Sequence, residues 1–370
     1  MKIGCPKEIK NNEFRVGLTP NAVRAYCDAG HEVYIEKGAG LGSAITDDEY
    51  KTAGAKILDT AAEVWHTACM IVKVKEPLAS EYKLMKENQL VYTYFHFAAN
   101  RELLDACLER KIVSLAYETV EEGHTLPLLK PMSEVAGRMS ILMGAFYMGK
   151  PHGGRGLLPM GVTGVAPANV VILGGGVVGS NAARIAAGLG AYVTVLDVNL
   201  KQLEFLSQIM PPNVKAIYND PVTLESYIQA ADIVVGSVLI PGAKAPKLVK
   251  REHLKRMKPG SVLVDVAIDQ GGCFETSRPT SHDDPVYTLD TIIHYSVANM
   301  PGAYARTSTF ALNNATIRYG LELAKKGVEK ACLENPAICT GLNTYKGCIT
   351  FPAVAEAFGL PSKTPQEVLN

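Results

Sequence analysis

The chain carries no surplus of charge: 37 Lys plus Arg balance 37 Asp plus Glu. Proteins that wrap nucleic acid carry a basic excess, so the balance argues against a nucleic-acid partner. Aromatic residues are scarce at 7%, with one tryptophan, Trp65, too few for a carbohydrate platform or a base-stacking groove. The eight cysteines contain no Cys-x-x-Cys pair and are irregularly spaced, which predicts reduced thiols in a cytoplasmic protein rather than a disulfide framework. The histidines are dispersed and no His-x-x-x-His occurs, so no metal site is expected. Walker A and Gly-x-Ser-x-Gly patterns are absent. Long hydrophobic runs are absent too. The most apolar stretch, 168–190, is interrupted by Asn169, Asn181, Arg184 and several glycines, a poor membrane span. The first fifteen residues include Lys2, Lys7, Glu8, Lys10, Glu13 and Arg15 without an apolar segment, so no secretory leader is expected.

What is present suffices for two or three domains: 370 residues, 47% hydrophobic and 20% charged. The N-terminal third alternates strand-like and helix-like runs. Met1–Cys5 reads as a strand. Thr19-Pro20 opens a helix to about Ala29, closed by Gly30, because threonine caps well and proline is tolerated at the first helical position. Glu32–Glu36, Cys69–Val74, Leu90–Thr93 and Ile112–Leu115 read as further strands, with a helix at Asn100–Arg110. Met132 to about Met148 reads as an apolar helix, and residues 151–168, rich in Gly and Pro, as loop. A second series starts with strand Val170–Leu173 and a helix with Val178, Ala182, Ile185, Ala186 and Leu189 on one face. Strands follow at Tyr192–Leu196, Ile233–Val235, Ser261–Asp265 and His294–Val297. A long helix from beyond Pro301 to about Lys326 then leads back to the first series.

Gly174-Gly175-Gly176-Val177-Val178-Gly179 satisfies Gly-x-Gly-x-x-Gly. Its context gives it weight: a strand precedes, an amphipathic helix follows, and Asp197 ends the next strand at close to the ~20-residue spacing of a dinucleotide fingerprint. Gly174 permits a tight turn, Gly176 lets backbone approach a pyrophosphate, and Gly179 lets helix and strand pack closely. The helix start favours anionic phosphates. Asp197 suits ribose hydroxyls and repels a 2′-phosphate, and neither Val198 nor Asn199 offers an arginine to hold one, so NAD is favoured over NADP. A purely structural turn, or FAD without a second flavin signature, is the alternative. The pattern predicts an α/β fold with two domains, a Rossmann dinucleotide-binding domain (129–305) inserted into a discontinuous α/β catalytic domain (1–128 and 306–370).

A hydride-transferring enzyme also needs an acid/base and a substrate anchor. His96 follows a strand end, where groups of open α/β sheets act, and titrates near neutrality. Lys75, in Lys73-Val74-Lys75-Glu76-Pro77, also follows a strand and suits a carboxylate or carbonyl. Arg15 suits a bidentate carboxylate clamp. Asp269, in Ala267-Ile268-Asp269-Gln270-Gly271-Gly272, sits where paired glycines mark close backbone approach. Taken singly, each has a plainer reading: a core histidine, a surface lysine, a surface arginine, a turn-capping aspartate.

Taken together, these residues resemble, over essentially the whole length, the alanine dehydrogenase/pyridine-nucleotide transhydrogenase family. The resemblance rests on Lys7-Glu8, Asn12-Glu13-Phe14-Arg15-Val16, Thr19-Pro20, Lys73–Pro77, Pro131-Met132-Ser133-Glu134-Val135-Ala136-Gly137-Arg138, the Gly174–Gly179 loop, Ala267–Gly272 and Val297-Ala298-Asn299-Met300-Pro301. It implies NAD-dependent, reversible oxidative deamination of L-alanine to pyruvate and ammonium by a homo-oligomer, a hexamer. It implies that Arg15 and Lys75 bind substrate and that His96 and Asp269 move protons. It implies that NAD is bound by Ser133, Gly174, Gly176, Val177, Val178, Gly179, Asp197, Val238, Leu239, Ala267, Ile268, Asp269, Arg278, Val297, Asn299 and Met300. Some members carry a histidine where Lys326 stands, proposed to bind magnesium with the residue matching Glu118. Lysine is no such ligand at neutral pH, so no metal is expected. Asn219 lies where some members place a serine against the adenosine. The alternatives are another amino-acid dehydrogenase of this architecture, like saccharopine dehydrogenase, the soluble NAD(H)-binding component of a transhydrogenase, or a catalytically silent NAD-binding protein.

Overall fold

The computed structural model describes residues 1–238 and 245–369. The chain forms two compact units, Met1–Met132 with Gly302–Asn370, and Ser133–Pro301. In chain order the strands are β1 (Lys2–Cys5), β2 (Glu32–Glu36), β3 (Lys56–Leu58), β4 (Met70–Val72), β5 (Leu90–Thr93), β6 (Val113–Ala116), β7 (Asn169–Leu173) and β8 (Tyr192–Asp197). They continue with β9 (Val214–Tyr218), β10 (Ile233–Gly236), β11 (Val262–Asp265), β12 (Val286–Leu289), β13 (Ile292–Tyr295), β14 (Leu342–Tyr345) and β15 (Cys348–Ile349).

The first unit holds an eight-stranded sheet ordered β15-β14-β6-β5-β4-β1-β2-β3. Strands β1 to β6 are parallel, so their carboxyl ends share one edge. Side chains alternate across the sheet: Met70 and Val72 join the core on one face, and Ile71 joins that on the other. A sheet apolar on both faces is the usual state of a covered parallel sheet. Thr19 caps the helix Pro20–Asp28 by accepting from Ala22 N, as the Thr-Pro pair predicts. The helix Ala305–Lys326 precedes β14 and β15, which add antiparallel strands beside β6.

The second unit holds a seven-stranded sheet ordered β12-β13-β11-β10-β7-β8-β9. All its pairings are parallel except β12 with β13. Val170 and Ile172 face one core, Val171 and Leu173 the other. The strand expected at His294–Val297 is corrected to Ile292–Tyr295. Ser296 and Val297 lie beyond it, with Thr280 N donating to Ser296 O. The expected strand Cys69–Val74 shortens to Met70–Val72, after which the chain turns outward as a loop.

Candidate active site

Loops at the shared carboxyl edge of the first sheet bring Arg15, Lys75 and His96 to one side of it. Gly17 makes this possible for the arginine segment, since a Cβ there would lie 2.5 Å from the Val72 carbonyl oxygen. Arg15 is 2% exposed. It donates through Nε to Glu13 Oε1 at 2.6 Å, through Nη2 to Glu13 Oε2 at 2.5 Å, and through Nη1 to Met132 Sδ at 3.0 Å. Burial works against this charge, but Glu13 outweighs it and holds the guanidinium above its ordinary value. Glu13 thus fixes the plane of the arginine fork.

Lys75 is buried, and its backbone is gripped from both sides. Glu8 Oε1 accepts from Val74 N at 2.6 Å and Lys75 N at 3.3 Å, and the Thr93 hydroxyl donates to Lys75 O at 2.9 Å. The neighbouring Lys73 is fully buried between Glu8 at 3.2 Å and Glu81 at 3.1 Å. Burial disfavours its charge, yet the two carboxylates hold its pKa above the lysine value. Lys73 is therefore a structural cation and Lys75 the candidate ligand.

His96 is exposed and adopts a left-handed backbone, φ 50° and ψ 41°, a conformation uncommon outside glycine. Glu118 stabilises it: Oε1 accepts from His96 N at 2.6 Å and Phe95 N at 3.1 Å. The Tyr94 ring lies nearly parallel to the imidazole, centroids 5.9 Å apart, and Tyr94 is pinned by donating to Leu128 O at 2.5 Å.

In the second unit, Gly174 has φ +94°, and an added Cβ on Gly179 would fall 1.8 Å from Gly174 O. Gly176 N-caps the helix Val177–Gly188 without any side-chain cap, and a Cβ there would meet no protein atom within 4 Å. The helix therefore starts with open amides, as phosphate binding requires. Asp197, at the end of β8, accepts from Gly175 N at 2.6 Å and Asn199 N at 2.8 Å. Asn219 donates its backbone N–H to Asp197 O, and its Oδ1 is buried without a hydrogen-bond partner. Val178 stands beside Ser133's helix, where Gly137 permits contact: a Cβ on it would be 2.2 Å from Val178 O. Val177, one residue earlier, begins the fingerprint helix.

Val238 packs on the glycine turn, within 3.0 Å of a Cβ at Gly174. Leu239 lies outside the described residues. Ala267 N-caps a short 3₁₀ turn, Ile268–Gln270, with Asp269 exposed at its crest. Arg278 stacks over Tyr287, 4.2 Å from its centroid. Asn299 has φ 64°, while the side chains of Val297 and Met300 are buried in the core.

Comparison with known proteins completes the assignment. Alanine dehydrogenase/PNT family models match residues 4–136 (N-terminal domain) and 140–352 (C-terminal domain). The chain is 57% identical to an alanine dehydrogenase of Methanococcus maripaludis and 53% to an alanine dehydrogenase 2 of Staphylococcus aureus, over the full length of each. The chain belongs to the alanine dehydrogenase/pyridine-nucleotide transhydrogenase family. Among solved structures of the family, an L-alanine dehydrogenase matches with a TM-score of 0.94 at 48% identity, covering 97% of this chain and 99% of that one. A transhydrogenase from Sinorhizobium meliloti matches at 0.82 and 28%, covering 95% and 100%.

Against the family pattern, Lys326 forms ion pairs with Glu322 at 2.6 Å and Glu334 at 2.8 Å, while Glu118 is occupied by backbone amides. Among the described residues, no group of three or more His, Cys, Asp or Glu is arranged to hold a metal. Sequence reasoning missed Ser237, whose hydroxyl bonds to Leu173 O at 2.8 Å and Gly174 O at 2.9 Å and braces the glycine turn. It also missed Tyr94, Tyr287 and Glu13 as supports. Glu13 was readable, two residues from an arginine in one motif; Ser237 carried no periodic or motif signal.

Proposed function

We propose that this chain is an NAD-dependent L-alanine dehydrogenase: alanine, NAD⁺ and water give pyruvate, ammonium, NADH and a proton. The observation that supports this most is the gathering of Arg15, Lys75 and His96 at the carboxyl edge of one sheet, each held by buried partners. The residues of the second unit fit a dinucleotide, because the open amides at Gly176 suit a pyrophosphate and Asp197 with the unpartnered Asn219 Oδ1 suits an adenosine ribose. The bound nicotinamide supplies the acceptor for the Cα hydride. Arg15 clamps the substrate carboxylate and Lys75 adds a second positive contact, which fixes the orientation of Cα, the main contribution a protein makes to such a transfer. His96, held over Tyr94, takes the proton from water adding to the iminium carbon. Asp269 takes the second proton-handling role as the carbinolamine collapses to pyruvate and ammonium. The same reading makes the protein a cytoplasmic homohexamer that uses no metal.

The test incubates purified protein and NAD⁺ with alanine, serine, glycine and saccharopine in parallel and follows NADH absorbance. Alanine-dependent NADH formation is expected. A response to saccharopine alone would move the chain to another dehydrogenase activity, and none with any amino acid would favour an NAD(H)-binding component or a silent binder. Asp197→Ala should weaken NAD binding about tenfold or more, and unchanged affinity would refute its ribose contact.

A further inference from the structure

Asp265 ends β11 and is fully buried. Its carboxylate is held by three backbone amides and one hydroxyl, with the Lys247 charge close enough to favour the ionised form. Oδ1 accepts from Ala267 N at 3.2 Å and Cys273 N at 3.1 Å. Oδ2 accepts from Phe274 N at 3.3 Å and from the Ser277 hydroxyl at 2.5 Å. These donors lie on both sides of residues 268–272, the turn whose crest is Asp269. The turn also closes on itself, with Gly271 N donating to Ile268 O at 2.9 Å and Gly272 N to Ala267 O at 3.0 Å. Gly271 and Gly272 have φ +90° and +79°, and a Cβ on Gly272 would lie 2.5 Å from Asp265 Oδ2. Lys247 Nζ adds bonds to Gly271 O and to Phe274 O. Burial pushes the Asp265 carboxyl up, while the Ser277, Cys273 and Phe274 bonds pull it down.

Burying a carboxylate is costly unless charge-assisted bonds satisfy it. Ending a strand does not require one, because a serine or asparagine would close the same turn with fewer bonds. What the carboxylate adds is four acceptor positions that fix both feet of the loop at once. We propose that Asp265 is a positioning residue for Asp269, a role that rests on the reaction proposed above: it holds the crest of the loop at the one height and orientation from which the Asp269 carboxylate serves the proton transfers. It does not touch substrate.

Asp265→Asn sets an amide N–H₂ against one pair of donors, and Ser277→Ala removes one donor while leaving the carboxylate. Displacement of a reacting group by about 1 Å costs up to ~10²-fold, so Asp265→Asn should lower kcat about tenfold to a hundredfold and Ser277→Ala about threefold, with KM for alanine little changed. In an Asp269→Asn background neither substitution should lower kcat further, because both act through Asp269. Losses that multiply in that background, or wild-type kcat in both single variants, would overturn the proposal. Amide hydrogen exchange across residues 267–273 is read in the same proteins and should quicken in Ser277→Ala, the milder change should Asp265→Asn fail to fold. Unchanged protection would overturn the grip itself, whatever the substrate proves to be. Absence of alanine-dependent NADH formation in the wild type would sink the reaction and leave this second reading to decide the loop.

Discussion

Loops at the ends of β1 and β4 bury charged side chains, whereas those at the ends of β7 and β11 bury mainly backbone and apolar side chains. In the first unit Glu8, Glu13, Arg15, Lys73, Lys75 and Glu81 are all at most 8% exposed. In the second, the fingerprint offers open amides and glycines, and Asp265 is a buried carboxylate at the end of β11. The difference follows from what each edge is proposed to hold. An amino acid presents few atoms, so side-chain charges must already point at it, and second carboxylates are needed to keep those charges aimed. A dinucleotide presents a long backbone of phosphates and sugars that amides can meet, and amides can approach only where no Cβ stands in the way.

Four substitutions test that contrast, from the largest expected effect to the smallest. His96→Ala should lower kcat by about 10²–10⁴-fold with NAD binding retained; near-normal turnover in steady-state assays would remove the histidine from the mechanism. Glu13→Ala removes the carboxylate hydrogen-bonded to the buried Arg15 guanidinium and should cost about 3 kcal/mol of stability, read as a lower denaturant midpoint. A midpoint equal to the wild type would mean that charge does not organise the first edge. Gly179→Ala should cost about 1–3 kcal/mol by overpacking against Gly174 O, whereas Gly176→Ala should fold normally and lose NAD affinity. Similar behaviour of the two alanines in melting and NAD titrations would break the backbone-approach account of the second edge.

The smallest effect is with pH. His294, on β13, is fully buried and its pKa is lowered, chiefly by burial. Its Nδ1 faces Ile292 O at 3.1 Å and its Nε2 the Thr276 hydroxyl at 2.8 Å, which suits a neutral ring donating from Nδ1. Unfolding therefore takes up a proton below the ordinary histidine value of about 6.5. The stability is present above that pH and is lost as pH falls towards the lowered folded value, by at most ~1.4 kcal/mol per pH unit. His294→Asn should flatten the melting temperature between about pH 6.5 and 5; an unchanged slope would assign the acid sensitivity elsewhere.

Much of this was legible in the sequence, for identifiable reasons. The buried strands announced themselves as apolar runs, the Thr19-Pro20 cap has a local cause, and the glycines of the fingerprint are needed at fixed offsets. The short strands β3, β9, β12, β14 and β15 were not read. β14, Leu-Asn-Thr-Tyr, has no apolar run and is held by pairing with β6, and β9 is a half-exposed edge. The supports of the candidate site were equally silent, because they are side-chain-to-backbone bonds between distant positions. Glu118 reaches His96 over 22 residues and Glu8 reaches Lys75 over 67, separations at which neither periodicity nor a local motif carries information.

The late arrival of β14 has a consequence for the chain as it is made. Ser114 on β6 and Thr344 on β14 share a hydroxyl hydrogen bond of 2.6 Å, although 230 residues separate them. At a synthesis rate of about 5–20 residues per second, β6 waits on the order of ten to fifty seconds on the ribosome with its outer row of amides and carbonyls unpaired. A bare strand edge invites foreign strands. For that interval the edge of β6 that β14 later covers is a liability of the growing polypeptide.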